Sequence, residues 1–514
     1  MRTRVIGRVA IGGLSAVLAL GGVIVGFVGP ASAATACDPE NRSPYADIDG
    51  DDSADVAVGM PFYQDGSGAV DVRFTGSPSV LLRSGDLGAG TGEGDSFGAE
   101  IAIADLDRDG CADMVISAPA EGQSAASDGA GNNEGQVHLV FGKPGGIDTS
   151  TSIVLPHDSS NLDHFGVALA LVPRYDAALS QNVHDLYVGA PRATVNGHEL
   201  AGEVFRYTIA PKSGGGVTAT LREVRSQDSS GVPGSAEDGD GFGSVLAATD
   251  AGGVLVGAPE EKVGSLRDAG AAWFLRVNAA GAPIASQSWS QNSAGVPGSA
   301  ETDDRFGSVL GSRGNRAVVG VPDEDSGSHA DTGMIQTFAL ASTGKFSVGK
   351  AITQDTPGIP GTMEAGDRFG SAVVLGVALI CQEAVDVAVG AAGEDVGAKE
   401  NAGTISLIPL ETDMGCTAAA LRQGSGLAGA AEAGDEVGTV LGITRGALDA
   451  EEDYSDRLLV GVPSEDIGAV TDAGMVQPAH GGIRANGVLT ATLQFSKGYL
   501  LTNDYGMVLP TTSN

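Results

Sequence analysis

Two stretches of the 514-residue chain place carboxylates at a spacing that could do chemistry: Asp47-x-Asp49-x-Asp51-x-Ser53-x-Asp55 and Asp105-x-Asp107-x-Asp109-x-Cys111-x-Asp113. Alternating side chains of a tight turn converge on one point, and four carboxylates that close repel strongly unless a cation joins them. All the donors are hard oxygens, which suits calcium with its roughly six to eight oxygen ligands better than magnesium, which keeps its waters. The expected ligands are the side chains of Asp47, Asp49, Asp51 and Asp55 with the carbonyl of Ser53, then Asp105, Asp107, Asp109 and Asp113 with the carbonyl of Cys111. The blander reading is a pair of solvated acidic turns. Both loops sit at the same register of a repeat, and that favours two calcium sites. Neither loop has an evident open position for catalysis, so the expected role is to stiffen a hairpin.

Other reactive patterns are poor. Gly94-Asp-Ser96-Phe-Gly98 has nucleophile-elbow spacing, but it is one copy of a repeated mark and lacks the following helix that a hydrolase needs. His157, His164, His184 and His198 share one repeat with Asp158, Asp163 and Asp185; a metal or acid–base cluster is the sharper reading, loop and surface histidines the blander one. Leu509-Pro-Thr511-Thr-Ser513 lacks the final Gly, apolar tail and basic end of a sortase signal. The four cysteines form no Cys-x-x-Cys or Cys/His spacing, so zinc is not expected. No catalytic constellation emerges, and the chain reads as a non-enzyme.

Residues 1–33 read as a secretory leader: Arg2, Arg4 and Arg8, an apolar run over 9–28, then Ala31-Ser-Ala33. Export permits disulfides. Three pairings of the four cysteines are possible. Cys381–Cys416, within one repeat, and Cys37–Cys111, which ties the N-terminal segment to the second acidic loop, are preferred. Removing the leader takes away three arginines and moves the net charge from −36 to −39. That charge opposes nucleic acid and anionic membranes as partners. The high Gly and Ala content and the style of the leader suit a bacterial, Gram-positive-like secreted protein, without a membrane span once the leader is cut.

The elements that must position the acidic loops are short. Beyond residue 30 the chain shows brief Val/Ile/Leu runs punctuated by Gly, Pro, Asp and Ser, which predicts an all-β fold. A corner recurs at Gly59-Met-Pro61, Ser117-Ala-Pro119, Gly189-Ala-Pro191, Gly257-Ala-Pro259, Gly320-Val-Pro322, Gly390-Ala-Ala392 and Gly461-Val-Pro463, every 58 to 72 residues. Upstream of six corners stands a second mark: Phe97-Gly98, Phe165-Gly166, Phe242-Gly243, Phe306-Gly307, Phe369-Gly370 and Val437-Gly438. Mark, strand, turn, strand, corner, loop and two further strands make four antiparallel strands per repeat, the content of a propeller blade. Tyr505-Gly506 supplies a seventh mark, so Asp504 to Leu509 is expected to close the ring as the inner strand of the N-terminal blade, removing an open edge. Segments such as Gln227 to Glu237, Gln291 to Glu301 and Gln354 to Glu364 look structural, shaping the connection between blades; a continuous ligand surface is the alternative.

Phe-Gly followed by Gly-Ala-Pro in seven copies, with an Asp-x-Asp-x-Asp-x-x-x-Asp hairpin between them, resembles the FG-GAP repeat family. It is similar to the β-propeller of integrin α subunits, and more closely to exported FG-GAP proteins of actinobacteria. The resemblance spans about residues 44–510. It implies a seven-bladed propeller and the same calcium roles for the ten loop residues named above. Integrins carry these loops in later blades, whereas here they lie in the first two, which argues against transferring integrin partners. The expectation is one propeller domain over 34–514, monomeric, acting in extracellular recognition or adhesion on a protein or polysaccharide. An extracellular hydrolase or carbohydrate-binding module, and a structural envelope protein, are the alternatives.

Overall fold

The computed structural model describes Cys37, residues 46–479 apart from 75–76, 90–91, 123–133, 158–163, 382–383, 412–414, 446–455 and 467–473, and residues 511–512. The leader lies outside the described residues, as do Asp158, Asp163 and the expected closing strand Asp504 to Leu509. The fold is all-β. Seven antiparallel sheets, built on a four-stranded pattern, form a β-propeller, and among the described residues helix is confined to two short turns, Tyr63–Gly66 and Ser84–Leu87.

The first sheet contains Val56–Met60, Ala69–Arg73 and Val80–Leu82, and the second Ile101–Ala104, Asp113–Ala118, Gln136–Lys143 and Gly146–Val154. The third holds Leu169–Asp176, Gln181–Ala190, Glu203–Pro211 and Val217–Arg225. The fourth to seventh begin with Val245–Thr249, Val309–Arg313, Phe369–Val377 and Val440–Arg445. Apart from a two-residue strand at the chain end that joins the second sheet, the strands of each sheet pair in sequence order, so each repeat of the sequence is one sheet.

Each strand alternates its side chains between the two neighbouring sheets. In the second sheet Ile101 and Ile103 face the first, while Ala102 and Ala104 face the third. Among the described residues seven apolar clusters lie one per interface, and a small eighth, Val195, Ala201 and Ala236, lies outside the sheets. One of the seven decides ring closure: Val58 of the first sheet packs with Leu459 and Val476 of the seventh. At the chain end, Thr511–Thr512 runs parallel to Ala102 and Ile103 of the second sheet.

The glycine marks have one packing reason. A Cβ on Gly257 would stand 2.2 Å from the Gly307 carbonyl oxygen of the next sheet, and one on Gly270 2.3 Å from the Phe306 oxygen. The same approach recurs at Gly59, Gly189 and Gly390. Corner and Phe-Gly mark are thus two halves of one contact between successive sheets. The phenyl rings of Phe97, Phe165, Phe242, Phe306 and Phe369 are wholly buried there. Both expected disulfides, Cys37–Cys111 and Cys381–Cys416, are formed. No described helix is long and apolar enough to cross a membrane.

Candidate metal centre

The first acidic loop leads into Val56–Met60 of the first sheet, and the second joins Ile101–Ala104 to Asp113–Ala118 of the second. Each needs two residues in the left-handed backbone region. Gly50 and Asp52 take φ of 73° and 65° in the first loop, and Arg108 and Gly110 take 64° and 95° in the second. One glycine serves at alternate positions, and the other place falls to a residue that bears the strain.

The closing aspartate anchors each turn. Asp55 Oδ2 accepts from the backbone N–H of Ile48 at 2.8 Å and of Asp49 at 3.3 Å. Asp113 Oδ2 does the same for Leu106 and Asp107, at 2.7 and 3.3 Å, and its Oδ1 accepts from Gly142. The opening aspartates are also braced. Asp47 accepts from the N–H groups of Gly50, Asp51 and Asp52, and Asp105 from Arg108 and Gly110.

In the first loop, ligand oxygens of Asp47, Asp49 and Asp55 lie within 4.8 Å of one another, and in the second those of Asp105, Asp107 and Asp113 do. Three of the four expected carboxylates therefore converge in each loop. The fourth does not: Asp51 Oδ1 accepts from Ser53 N–H and Asp109 Oδ1 from Cys111 N–H, both at 2.8 Å. Asp109 instead groups with Cys37 and Cys111, whose sulfurs are joined to each other. That bond leaves the Cys111 carbonyl, its expected ligand atom, untouched.

The electrostatics follow from this crowding. Burial, then the neighbouring Asp109 and Asp107, pushes Asp105 up to about 6. Asp113 rises well above the usual carboxylate range through burial and then Asp107. Asp47 and Asp49 are raised chiefly by burial, with Asp51 adding repulsion. Asp49 is only 1% exposed, yet its Oδ1 has no hydrogen-bond partner. An ionised, buried, unpartnered oxygen facing other carboxylates is costly. A hard divalent cation is the chemistry this donor set fits.

The two loops are also joined to each other. Ala112 N–H donates to the Asp47 carbonyl at 2.7 Å and Gly145 N–H to that of Asp49 at 2.7 Å. From the third sheet, Gly216 N–H reaches Asp107 Oδ2 at 3.0 Å. Sequence reasoning could not find Gly216; a Gly-Gly-Gly turn 109 positions away carries no signal of that contact.

Residues 97–140 match the family model of the FG-GAP repeat. They are an FG-GAP repeat. The propeller of seven sheets fits an FG-GAP protein, and the matched span holds the whole second acidic loop. Among solved structures, a mutant Aleuria aurantia lectin in complex with Fucalpha1-6GlcNAc is 12% identical over 57% of this chain and 74% of its own, with a TM-score of 0.30. The same lectin in complex with alpha-methyl-L-fucoside is 11% identical over 57% and 72%, with a TM-score of 0.29. Likeness this distant carries no argument about a ligand.

Of the four histidines expected on loops and surface, His157, His164 and His198 lie between strands and one does not. His184 lies within a strand, and burial, then Arg108, lowers it to about 4. His157 stacks on Phe165, with centroids 4.4 Å apart, and His198 pairs with Asp238 at 3.1 Å. Ser96, in the Phe-Gly mark of the second sheet, has its hydroxyl on the Gly94 carbonyl at 3.4 Å.

Proposed function

We propose that this chain is an exported, calcium-binding FG-GAP propeller that acts in extracellular recognition or adhesion and catalyses no reaction. The propeller is a scaffold for binding, with loops from every blade gathered at its two faces. The observation that carries the calcium reading is the pair of register-equivalent carboxylate triads, one of them with the buried and unpartnered Asp49 Oδ1. Asp47, Asp49 and Asp55 would hold one ion, and Asp105, Asp107 and Asp113 the other. Asp51, Asp109 and the carbonyls of Ser53 and Cys111 complete the candidate donors.

The ion would hold the two hairpins together. Because the loops bond to each other and to the third sheet, it would stiffen the ring across three successive blades. The reading takes 1–33 as a removed leader and 34–514 as one domain, monomeric, outside the cell. The two disulfides and the large negative charge support an extracellular setting. The partner chemistry is an extracellular protein or polysaccharide.

The test is retention of cell-surface polymers and secreted proteins on the mature chain, in calcium and then in chelator. Saturable, calcium-dependent retention of a defined partner is expected. Retention of nothing, or turnover of an ester or glycoside, contradicts the reading.

A further inference from the structure

A second set of buried carboxylates lies between the blades, remote from the acidic loops. In the fourth to seventh sheets a glutamate stands four residues past the corner glycine: Glu261, Glu324, Glu394 and Glu465. Each accepts from a glutamine at or just past the end of the fourth strand of the preceding sheet. Gln227 Nε2 donates to Glu261 at 2.7 Å, Gln291 to Glu324 at 2.5 Å, Gln354 to Glu394 at 2.5 Å, and Gln423 to Glu465. The four interfaces therefore carry the same clasp in the same register.

The aspartate that precedes the Phe-Gly mark is hydrogen-bonded to the glutamate in the first clasp, Asp240 to Glu261, and in the others it acts on the glutamate through its charge, Asp304 on Glu324, Asp367 on Glu394 and Asp435 on Glu465. Asp240, Asp304, Asp367 and Asp435 are at most 2% exposed. They accept from the backbone N–H groups of Glu237, Glu301, Glu364 and Glu432 at 2.5 to 2.6 Å. Those four glutamates add further negative charge.

The other groups facing the clasps are mostly acidic. Asp325 faces Glu324, Asp395 faces Glu394 and Asp466 faces Glu465. Asp323, which faces Asp304, is taken up by Arg305 at 3.3 Å and Arg368 at 3.6 Å. Besides these two arginines, the cations near the clasps among the described residues are Lys262, at 3.4 Å from Glu237, and Lys399, which faces Asp435.

The donor count points the same way. Oε1 of Gln227, Gln291, Gln354 and Gln423 is buried without a partner at all four clasps. These glutamines are 1 to 3% exposed. Each clasp is rich in acceptors and short of donors, and one added proton supplies a donor among the carboxylates. Among the described residues no clasp brings three carboxylates together as the acidic loops do, and a proton is the occupant that two facing carboxyl groups fit.

We propose that the four clasps hold shared protons between the glutamate and its neighbouring aspartate, so that the ring gains stability as its surroundings acidify.

The direction of the shifts agrees. Burial first, then Asp240, pushes Glu261 up to about 8, and burial with the glutamate and aspartate neighbours pushes Glu324 and Glu394 to about 7. Asp240, Asp304 and Asp367 rise to about 6, again chiefly through burial. Values raised on folding mean that the native chain keeps protons the unfolded chain has released. The stabilisation is full below the ordinary glutamate range and is lost as pH rises toward 7 to 8.

The experiment compares melting of the full mature chain at about pH 5.5 and about pH 8.5, with the E261Q/E324Q/E394Q/E465Q variant alongside. Both chains carry the same acidic loops and are measured in chelator, so the difference between them isolates the clasps. Wild type should melt about 5 °C higher at the lower pH, and the variant should lose at least half of that difference. A wild-type melting temperature that is flat or rises with pH, or a variant that keeps the full dependence, overturns the proposal. If the variant does not fold, infrared absorption of folded wild type decides. A protonated-carboxyl carbonyl band that persists near pH 7 and fades toward pH 9 supports shared protons, and its absence near pH 7 overturns them.

Discussion

The acidic loop of the second sheet and the corresponding corner of the third solve one problem in opposite ways. Both put an aspartate in the second strand four residues before the corner, Asp113 in one and Asp185 in the other. In the third sheet the charge is answered from within. Arg174 bonds Asp185 at 2.8 Å and Asp176 at 3.1 Å, Arg206 bridges Asp185 and Glu223, and Arg225 reaches Glu223. Alternating charges cross all four strands. Burial pushes Asp176 up, but the Leu179 N–H and Arg174 outweigh it and hold that carboxyl below its usual range. In the second sheet no arginine enters the triad, and Asp105 and Asp113 rise instead. A fold that can neutralise a corner with guanidinium groups does so in one blade and leaves the triad open in the next. The calcium proposal rests on that contrast.

The sixth sheet supplies a control. Asp386 occupies the closing position and accepts from Ile380 and Cys381 N–H at 2.8 and 2.9 Å, as Asp55 and Asp113 accept from their own turns. Yet it belongs to no carboxylate triad among the described residues. Anchoring the turn is thus separable from gathering ligands.

The largest expected effect comes from the disulfides. Replacing Cys37 and Cys111 by Ser, or Cys381 and Cys416, should each cost about 4 kcal/mol in denaturant unfolding. Only the first pair should also weaken the response to calcium, since only Cys111 belongs to an acidic loop. Next, Arg174→Met leaves Asp185 and Asp176 short of a cation and should cost about 3 kcal/mol, equally with calcium or chelator. A calcium-dependent loss there would break the contrast between the two corners.

Asp386→Asn removes a charged acceptor from two N–H groups and should cost about 2 kcal/mol regardless of calcium. The smallest effect is the most specific. With calcium at about ten times Kd, one site adds about 1.4 kcal/mol, which Asp49→Asn should abolish for the first loop. In chelator the same change should be neutral or stabilising, because it relieves repulsion around a buried, unpartnered oxygen. A uniform loss in both conditions would mean that Asp49 is only a structural residue.

The sequence made the ring legible because each glycine mark records a contact that admits no Cβ, so Gly257 and Phe306-Gly307 announce the same interface from two sides. The acidic loops were legible because alternate aspartates in a tight turn have few other uses. Ligand geometry was less so: Asp51 and Asp109 follow the alternation but spend an oxygen on their own backbone. The third-sheet ladder was not legible, since Arg174, Asp185, Arg206 and Glu223 meet only when four strands pair in register. The clasps were half legible. The Gln-to-Glu segments read as structural connections, and Gln227, Gln291 and Gln354 indeed bind the next blade, but their glutamate partners lie 33 to 40 residues away.

The central claim is that the triads of the first two sheets hold calcium and the other corners do not. Calorimetric titration of calcium into the chelator-stripped mature chain tests it most directly, beside an Asp49→Asn/Asp107→Asn variant. Two sites are predicted in the wild type and none in the variant, with both chains folded. A wild type that takes up no calcium, or a variant that binds it as the wild type does, would contradict the account.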